Sequence, residues 1–133
     1  MKTIIDISVW FLALRRKKKQ NYAEIRELEK LISNFSVIML GPIRQEILSG
    51  VQQQNQFRLL ADYLHPFPDF NITTQDYENA AKYYNELRKK GIQGSNTDFL
   101  ICSVAVNNDF NIFTTDKDFE RYAKYLPIAL YNF

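Results

Sequence analysis

The chain has 133 residues, of which 46% are hydrophobic, and its formal net charge is +2 at pH 7. This length suits one globular domain with its own core, so we expect a single domain over residues 1–133. The only cysteine, Cys102, excludes an intramolecular disulfide, and with a single histidine the sequence offers no zinc-ribbon ligand set.

The apolar run from Ile4 to Leu14 is followed by five basic residues, which together resemble a short membrane anchor with a positive flank. The run is much shorter than the ~20 residues that a spanning helix needs, and Asp6 lies within it. A secretory signal carries its positive charge before the apolar run, not after it. We therefore expect a soluble, cytoplasmic protein with no membrane association.

Predicted strands and helices alternate along the first half of the chain. In order, the pattern predicts a strand at 2–6, helices at 8–14 and 22–34, a strand at 36–40, and helices at 42–50 and 56–64. A short edge strand is predicted near Phe70, after the helix-breaking segment 66–68.

The second half begins with a long helix that runs to Lys90 from a capping box formed by Thr73 and Asp76. Its predicted buried stripe includes Tyr77 and Ala81. Residues 96–108 form a helix that is apolar on nearly every side, and strands at 111–114 and 128–131 enclose a helix at 117–125. Apolar strands separated by helices predict a three-layer α/β/α sandwich around a central, mostly parallel sheet of about five strands.

Four acidic residues occupy the boundaries of these elements. Asp6 and Asp116 follow two predicted strands, Asp98 opens the apolar helix, and Glu46 lies at the edge of a buried helical face. Ligands of open α/β sheets gather at the carboxyl ends of the strands. If the four acids meet in one cleft, their oxygens form a site for a hard divalent cation.

Each acid also has a purely structural explanation. Asp6 and Asp116 could cap the helices that follow them, and Asp98 could close a capping box with Ser95. Glu46 could be an ordinary solvated helix residue. Only the joint pattern of the four acids favours a metal site, with the nearby hydroxyl groups orienting the carboxylates.

Charge supports the same interpretation. The 17 basic residues are opposed by 15 acidic ones, and without the four candidate ligands 11 acids remain, which leaves +6 on the rest of the molecule. A basic surface around an acidic metal site is the arrangement that a phosphodiester substrate favours. The strongest candidate for a phosphate contact is the basic run, which could equally be a solvated loop: Arg15, Arg16, Lys17, Lys18 and Lys19.

Four motifs, in this order along the chain, resemble those of PIN-domain nucleases. They are Ile-Ile-Asp-Ile-Ser-Val-Trp at 4–10, Glu-Ile-Leu-Ser-Gly at 46–50, Asp-Phe-Leu-Ile-Cys-Ser-Val-Ala at 98–105 and Phe-Thr-Thr-Asp-Lys-Asp-Phe at 113–119. Each motif is weak alone, but together they span nearly the whole chain. The small size is similar to the VapC toxins of bacterial toxin–antitoxin pairs.

The resemblance implies a PIN-like fold and a metal-dependent endoribonuclease that cleaves structured RNA such as tRNA or rRNA. Asp6, Glu46, Asp98 and Asp116 would bind Mg²⁺ or Mn²⁺, which activates water for phosphodiester hydrolysis. Three further residues would support this site: Ser8 and Thr115 by orienting the acids, and Asp118 as a possible additional member.

The same resemblance implies a cognate VapB-like antitoxin, with the first two predicted helices as the place to look for its contact, and a homodimer. Two other functions stay open on the sequence. One is a non-catalytic RNA-binding domain on the same fold, which loss of an acid would favour. The other is a different metal-dependent phosphoesterase or a DNA nuclease.

Overall fold

The computed structural model describes residues 1–14 and 22–133. The predicted basic run therefore lies outside the described residues. The elements follow one another as β1 (Thr3–Ile5), α1 (Ile7–Leu14), α2 (Ala23–Ser33), β2 (Val37–Ile38), α3 (Gly41–Leu48), α4 (Gln54–Leu64), α5 (Thr74–Lys89), α6 (Asn96–Asn108), β3 (Asn111–Phe113), α7 (Asp118–Tyr122) and β4 (Ala129–Leu130).

The strands form a four-stranded sheet in the order β2-β1-β3-β4, and every pairing is parallel. Helices flank this sheet: α1 packs on α2 and α3, α5 packs on α6, and α6 packs on β3. The α/β class and the parallel central sheet agree with the prediction. In the described part of the chain no helix is both long and apolar enough to cross a membrane.

The fifth strand that was predicted near Phe70 is not formed. Only a single parallel bridge joins Met39 to Asp69, where the Phe70 amide donates to the Met39 carbonyl at 2.8 Å. The prolines at 66 and 68 lack the amide hydrogens that a longer ladder requires, so pairing beside β2 stops after one bridge.

The core centres on β1, β3 and α6. Seven consecutive α6 residues, from Phe99 to Ala105, are buried, because one side of this helix lies on the sheet and another on α5. Asp109, in the left-handed conformation at φ 61°, ends α6 and returns the chain into β3. This short return lets β3 run back along α6, so that the first turn of α6 and the last residue of β3 lie at the same end of one packed unit.

Register in the sheet positions the candidate residues. Ile5 pairs with Phe113, so the residues that follow, Asp6 and Thr114, emerge side by side at the carboxyl edge. The Asp6 amide donates to the Phe113 carbonyl at 2.8 Å, which continues the ladder by one bond. The sheet therefore brings together two residues that lie 108 positions apart in sequence.

Candidate active site at the carboxyl edge of the sheet

Asp6 is the most buried of the four predicted acids, with 3% of its surface exposed. Two hydroxyl groups, those of Ser8 and Thr114, each donate to its Oδ2 at 2.7 Å. No donor from residues 1–14 or 22–133 binds Oδ1 of this carboxylate. The carboxylate is thus held rigidly through one oxygen, while the other keeps its lone pairs for a ligand.

The hydroxyl groups belong to a small network that joins the two strand ends. The Thr115 amide donates to Ser8 Oγ, and the Asp116 amide donates to Thr114 Oγ1, each at 3.0 Å. The orienting hydroxyl that was predicted at Thr115 is that of Thr114, and Thr115 contributes only its amide. Successive side chains of an extended segment point to opposite sides, so only one of these two threonines can face Asp6.

Asp116 accepts a hydrogen bond from the nearby backbone with one carboxylate oxygen and leaves the other for the site. Its Oδ1 accepts a hydrogen bond from the Asp118 amide at 2.9 Å, which fixes the turn that leads into α7, although the N-cap position of that helix is Lys117. Its Oδ2 receives no hydrogen bond from the described residues. The side chain of Asp118 lies 3.6 Å from Arg121, and both groups are half exposed.

Asp98 stands in the first turn of α6, where its amide donates to Ser95 Oγ at 3.0 Å. The reciprocal bond that would complete a capping box is absent, because the Asp98 carboxylate instead accepts from Tyr122 Oη at 2.8 Å. Burial raises the pKa of Asp98, the Tyr122 hydrogen bond opposes this, and the charges of Asp6 and Asp116 raise it further. The charges of two aspartates from other parts of the chain therefore reach Asp98.

Tyr122 is a member of this site that the sequence did not reveal. Its side chain is fully buried, and burial, followed by its hydrogen bond to Asp98, raises the pKa of its phenol. A Cβ atom at Gly94 would lie 2.4 Å from Tyr122 Oη and 2.9 Å from the Phe99 ring. Glycine at position 94 therefore leaves the space in which Tyr122 reaches Asp98; no sequence signal links these residues.

Glu46 lies on α3 with an exposed side chain that makes no hydrogen bond or ion pair with the described residues. Its assignment as a ligand stays a prediction, as does the phosphate contact of the basic run. Of the predicted acids, Asp6 and Asp116 lie near enough to Asp98 for their charges to raise its pKa.

The donor chemistry suits a hard divalent cation. Asp6 and Asp116 each keep one oxygen without a donor from the described residues. Asp98, whose pKa their charges raise, supplies a third carboxylate. Across residues 1–14 and 22–133, no three acidic, histidine or cysteine side chains converge closely enough to hold one ion. Carboxylates without a counter-charge repel one another, so a cation is what would draw these side chains together.

The sequence and the fold of the chain are similar to those of known proteins. Over 134 residues, the chain is 28% identical to VapC ribonuclease Mb1587 of Mycobacterium bovis and to ribonuclease VapC11 of Mycobacterium tuberculosis, with 98% of each chain covered. The fold matches a crystal structure of VapBC2 from Rickettsia felis bound to a DNA fragment from their promoter. That match has a TM-score of 0.78 and 19% identity, and it covers 100% of this chain and 99% of that one. Residues 3–125 match the PIN domain, and the chain therefore belongs to the PIN domain family.

Proposed function

We propose that this chain is a metal-dependent endoribonuclease that hydrolyses phosphodiester bonds in structured RNA such as tRNA or rRNA. The observation that carries the proposal is the placement of Asp6, Asp98 and Asp116 at the carboxyl edge of the sheet, where the charges of Asp6 and Asp116 act on Asp98. One oxygen of each is held by a hydroxyl or amide donor, which is how proteins orient metal ligands. Two relatives named as ribonucleases support the same assignment.

The side chains have distinct roles in this proposal. Asp6, Asp98 and Asp116 bind one or two Mg²⁺ or Mn²⁺ ions, which would supply the positive charge that activates water and stabilises the leaving oxygen. Ser8 and Thr114 hold the Asp6 carboxylate, while Tyr122 holds that of Asp98. Glu46 joins the site directly or through a water molecule, and Asp118 stays at its edge.

RNA is the proposed substrate because the molecule carries a net positive charge once the four candidate metal ligands are set aside. With the four candidate ligands set aside, 17 basic residues oppose 11 acidic ones. The run Arg15–Lys19 is the proposed phosphate contact, where the charges position RNA without reading its sequence. Action on tRNA or rRNA would place the protein in the cytoplasm.

The proposed partner is a VapB-like antitoxin, since the name of the Rickettsia structure describes a VapBC assembly. An apolar groove of about 630 Å³ between α1, α3 and α4 offers a surface for an apolar antitoxin segment. Leu59 on this groove is 70% exposed, and Leu14 and Ile47 also line it. The groove includes α1, the first of the two helices that the sequence indicated, and a homodimer is part of the same proposal.

The test is cleavage by the purified chain, free of antitoxin, of tRNA, rRNA and single-stranded DNA. Each substrate is incubated with Mg²⁺, with Mn²⁺ and with a chelator, and the products are resolved on denaturing gels. We expect cleavage of RNA that the chelator abolishes and that returns when Mg²⁺ or Mn²⁺ is added.

The other functions predict different results. RNA that is bound but not cleaved under any condition would identify a non-catalytic binding domain. Cleavage of DNA in preference to RNA would identify a DNA nuclease of the same fold. Cleavage that persists in chelator would contradict the metal-dependent chemistry.

A further inference from the structure

A second cavity, of about 330 Å³, lies beside the first turn of α6, where that helix meets α5 and the start of α3. This volume is near the lower end of the ~300–1,000 Å³ typical of small-molecule sites, so it suits one small planar group. It is lined by one aromatic ring, four apolar side chains and two polar ones: Tyr77, Pro42, Ala80, Ala81, Leu100, Asn96 and Thr97.

The cavity adjoins the proposed active site through the first turn of α6. Thr97 immediately precedes Asp98, so one peptide separates the cavity wall from a candidate metal ligand. A group in the cavity would lie within one helical turn of that ligand, which is a separation that one RNA strand can span.

The wall chemistry favours a neutral aromatic ligand. Tyr77 is 54% exposed although its neighbour Ala80 is buried, so the tyrosine presents ring surface rather than packing into the core. The side chains of Asn96 and Thr97 have no hydrogen-bond partner among the described residues. None of the cavity-lining residues carries a charge, so a phosphate would find no counter-ion here. A nucleobase offers the ring for stacking and the edge for hydrogen bonds that these walls can use.

We propose that this cavity receives one unstacked nucleobase of the RNA next to the bond that is cleaved. Tyr77 stacks on the base, and Asn96 and Thr97 contact its edge and favour some bases over others. The inference rests on the proposed ribonuclease function. It assigns the base preference of the enzyme to the walls of this cavity, which contain none of the candidate metal ligands. The predicted burial of Tyr77 in the α5 stripe was wrong, and the exposed ring is what makes this site available.

The test measures binding of three fluorescein-labelled RNA dodecamers, of adenosine, cytidine and uridine, by anisotropy in Mg²⁺. All proteins carry Asp6→Asn, so that bound RNA stays intact. Stacking of one base on an aromatic ring is worth roughly 5- to 100-fold in affinity, so Tyr77→Ala should weaken binding of every dodecamer by about tenfold. Tyr77→Phe, which keeps the ring, should bind within about twofold of its parent.

Asn96→Ala and Thr97→Val should change the order of affinity among the three dodecamers, because they alter edge contacts and leave the ring in place. Tyr125→Ala is the matched control, since this tyrosine is 48% exposed and lies outside the cavity. Unchanged thermal unfolding of each variant excludes loss of folding as the cause.

Three results would overturn the proposal. The first is equal affinity for Tyr77→Ala and Tyr125→Ala, and the second is no binding of any dodecamer by the parent protein. The third is a fall in mass by light scattering in Tyr77→Ala alone, which would show that a second copy of the chain covers the cavity. Metal-dependent cleavage of RNA by the wild-type chain separates these failures from failure of the ribonuclease assignment.

Discussion

Asp6 and Asp76 are buried to the same degree, 3% exposed, but the protein treats their carboxylates differently. Asp76 receives a donor at each oxygen: the Thr73 amide at 3.0 Å on Oδ2 and the Asn107 side-chain amide at 2.8 Å on Oδ1. Asp6 takes both of its donors, from Ser8 and Thr114, on a single oxygen. Equal burial therefore does not imply an equal role.

The difference follows from what each carboxylate holds together. Asp76 closes the capping box of α5 and ties that helix to α6, where Ser103 Oγ also donates to the Asp76 carbonyl at 2.7 Å. The Asp6 carboxylate is oriented by two hydroxyl groups, and its negative charge raises the pKa of the nearby Asp98. A saturated buried carboxylate stabilises the fold, whereas a half-saturated one beside other acids provides a binding site.

The largest expected effect comes from Asp6→Asn. Cleavage of RNA should fall by more than about 100-fold, because even the outer partners of metal ligands cost roughly 10–100-fold when they are lost. The unfolding temperature without metal should not fall, since the substitution removes a repulsive charge near Asp98 and Asp116. Cleavage rates and thermal scans measure the two effects.

The control for this substitution is Asp109→Asn at the far end of α6, an exposed position where asparagine suits the left-handed backbone. It should cleave at the wild-type rate. Full activity in Asp6→Asn would remove Asp6 from the mechanism and make its resemblance to a metal ligand accidental.

Tyr122→Phe should have the next largest effect, a loss of roughly 10–100-fold in the cleavage rate, because the Asp98 carboxylate loses the donor that orients it. We expect kcat to fall more than KM changes, since Tyr122 is buried behind Asp98. Phenylalanine fills the same space, so the unfolding temperature should change little.

Ser103→Ala deletes a hydroxyl from the Asp76 region and serves as the counterpart of Tyr122→Phe. It should lower the free energy of unfolding by about 1 kcal/mol and leave the cleavage rate of the folded protein unchanged. If Ser103→Ala and Tyr122→Phe alter the same property, the functional division between the two regions is wrong.

Asp76→Asn should destabilise the fold by about 1–2 kcal/mol, because an amide cannot accept from both of the donors that the carboxylate satisfies. Cleavage per folded molecule should match the wild type. Urea unfolding followed by circular dichroism measures the stability, and active-site titration corrects the rate. A loss of activity without a loss of stability would connect Asp76 to the chemistry.

The last prediction concerns stabilisation of the fold by the metal itself. Mg²⁺ at ten times its dissociation constant should add about 1.4 kcal/mol to the free energy of unfolding. This corresponds to a rise of roughly 3–6 °C in the unfolding temperature at this chain length. The rise should vanish in Asp6→Asn and persist in Asp76→Asn, and an identical rise in both variants would show that Mg²⁺ binds elsewhere.

The sequence by itself determined the order of the elements, their approximate bounds and the helix caps. These features depend on contacts within a few residues: the box of Thr73 and Asp76 forms as predicted, and Asp116 accepts from the amide of Asp118 in the turn before α7. Hydrophobic periodicity likewise identified the central strands and the apolar α6. The positions of three aspartates at strand and helix ends followed from these bounds.

Only the tertiary structure decided which side chains meet. The register of β1 against β3 selects Thr114 over Thr115 as the partner of Asp6, and the packing of α7 against α6 brings Tyr122 to Asp98. The exposure of Tyr77 and of the Glu46 side chain depends on how whole helices are oriented. Such contacts join residues far apart in sequence, so their energies belong to the packed molecule and leave no local pattern in the chain.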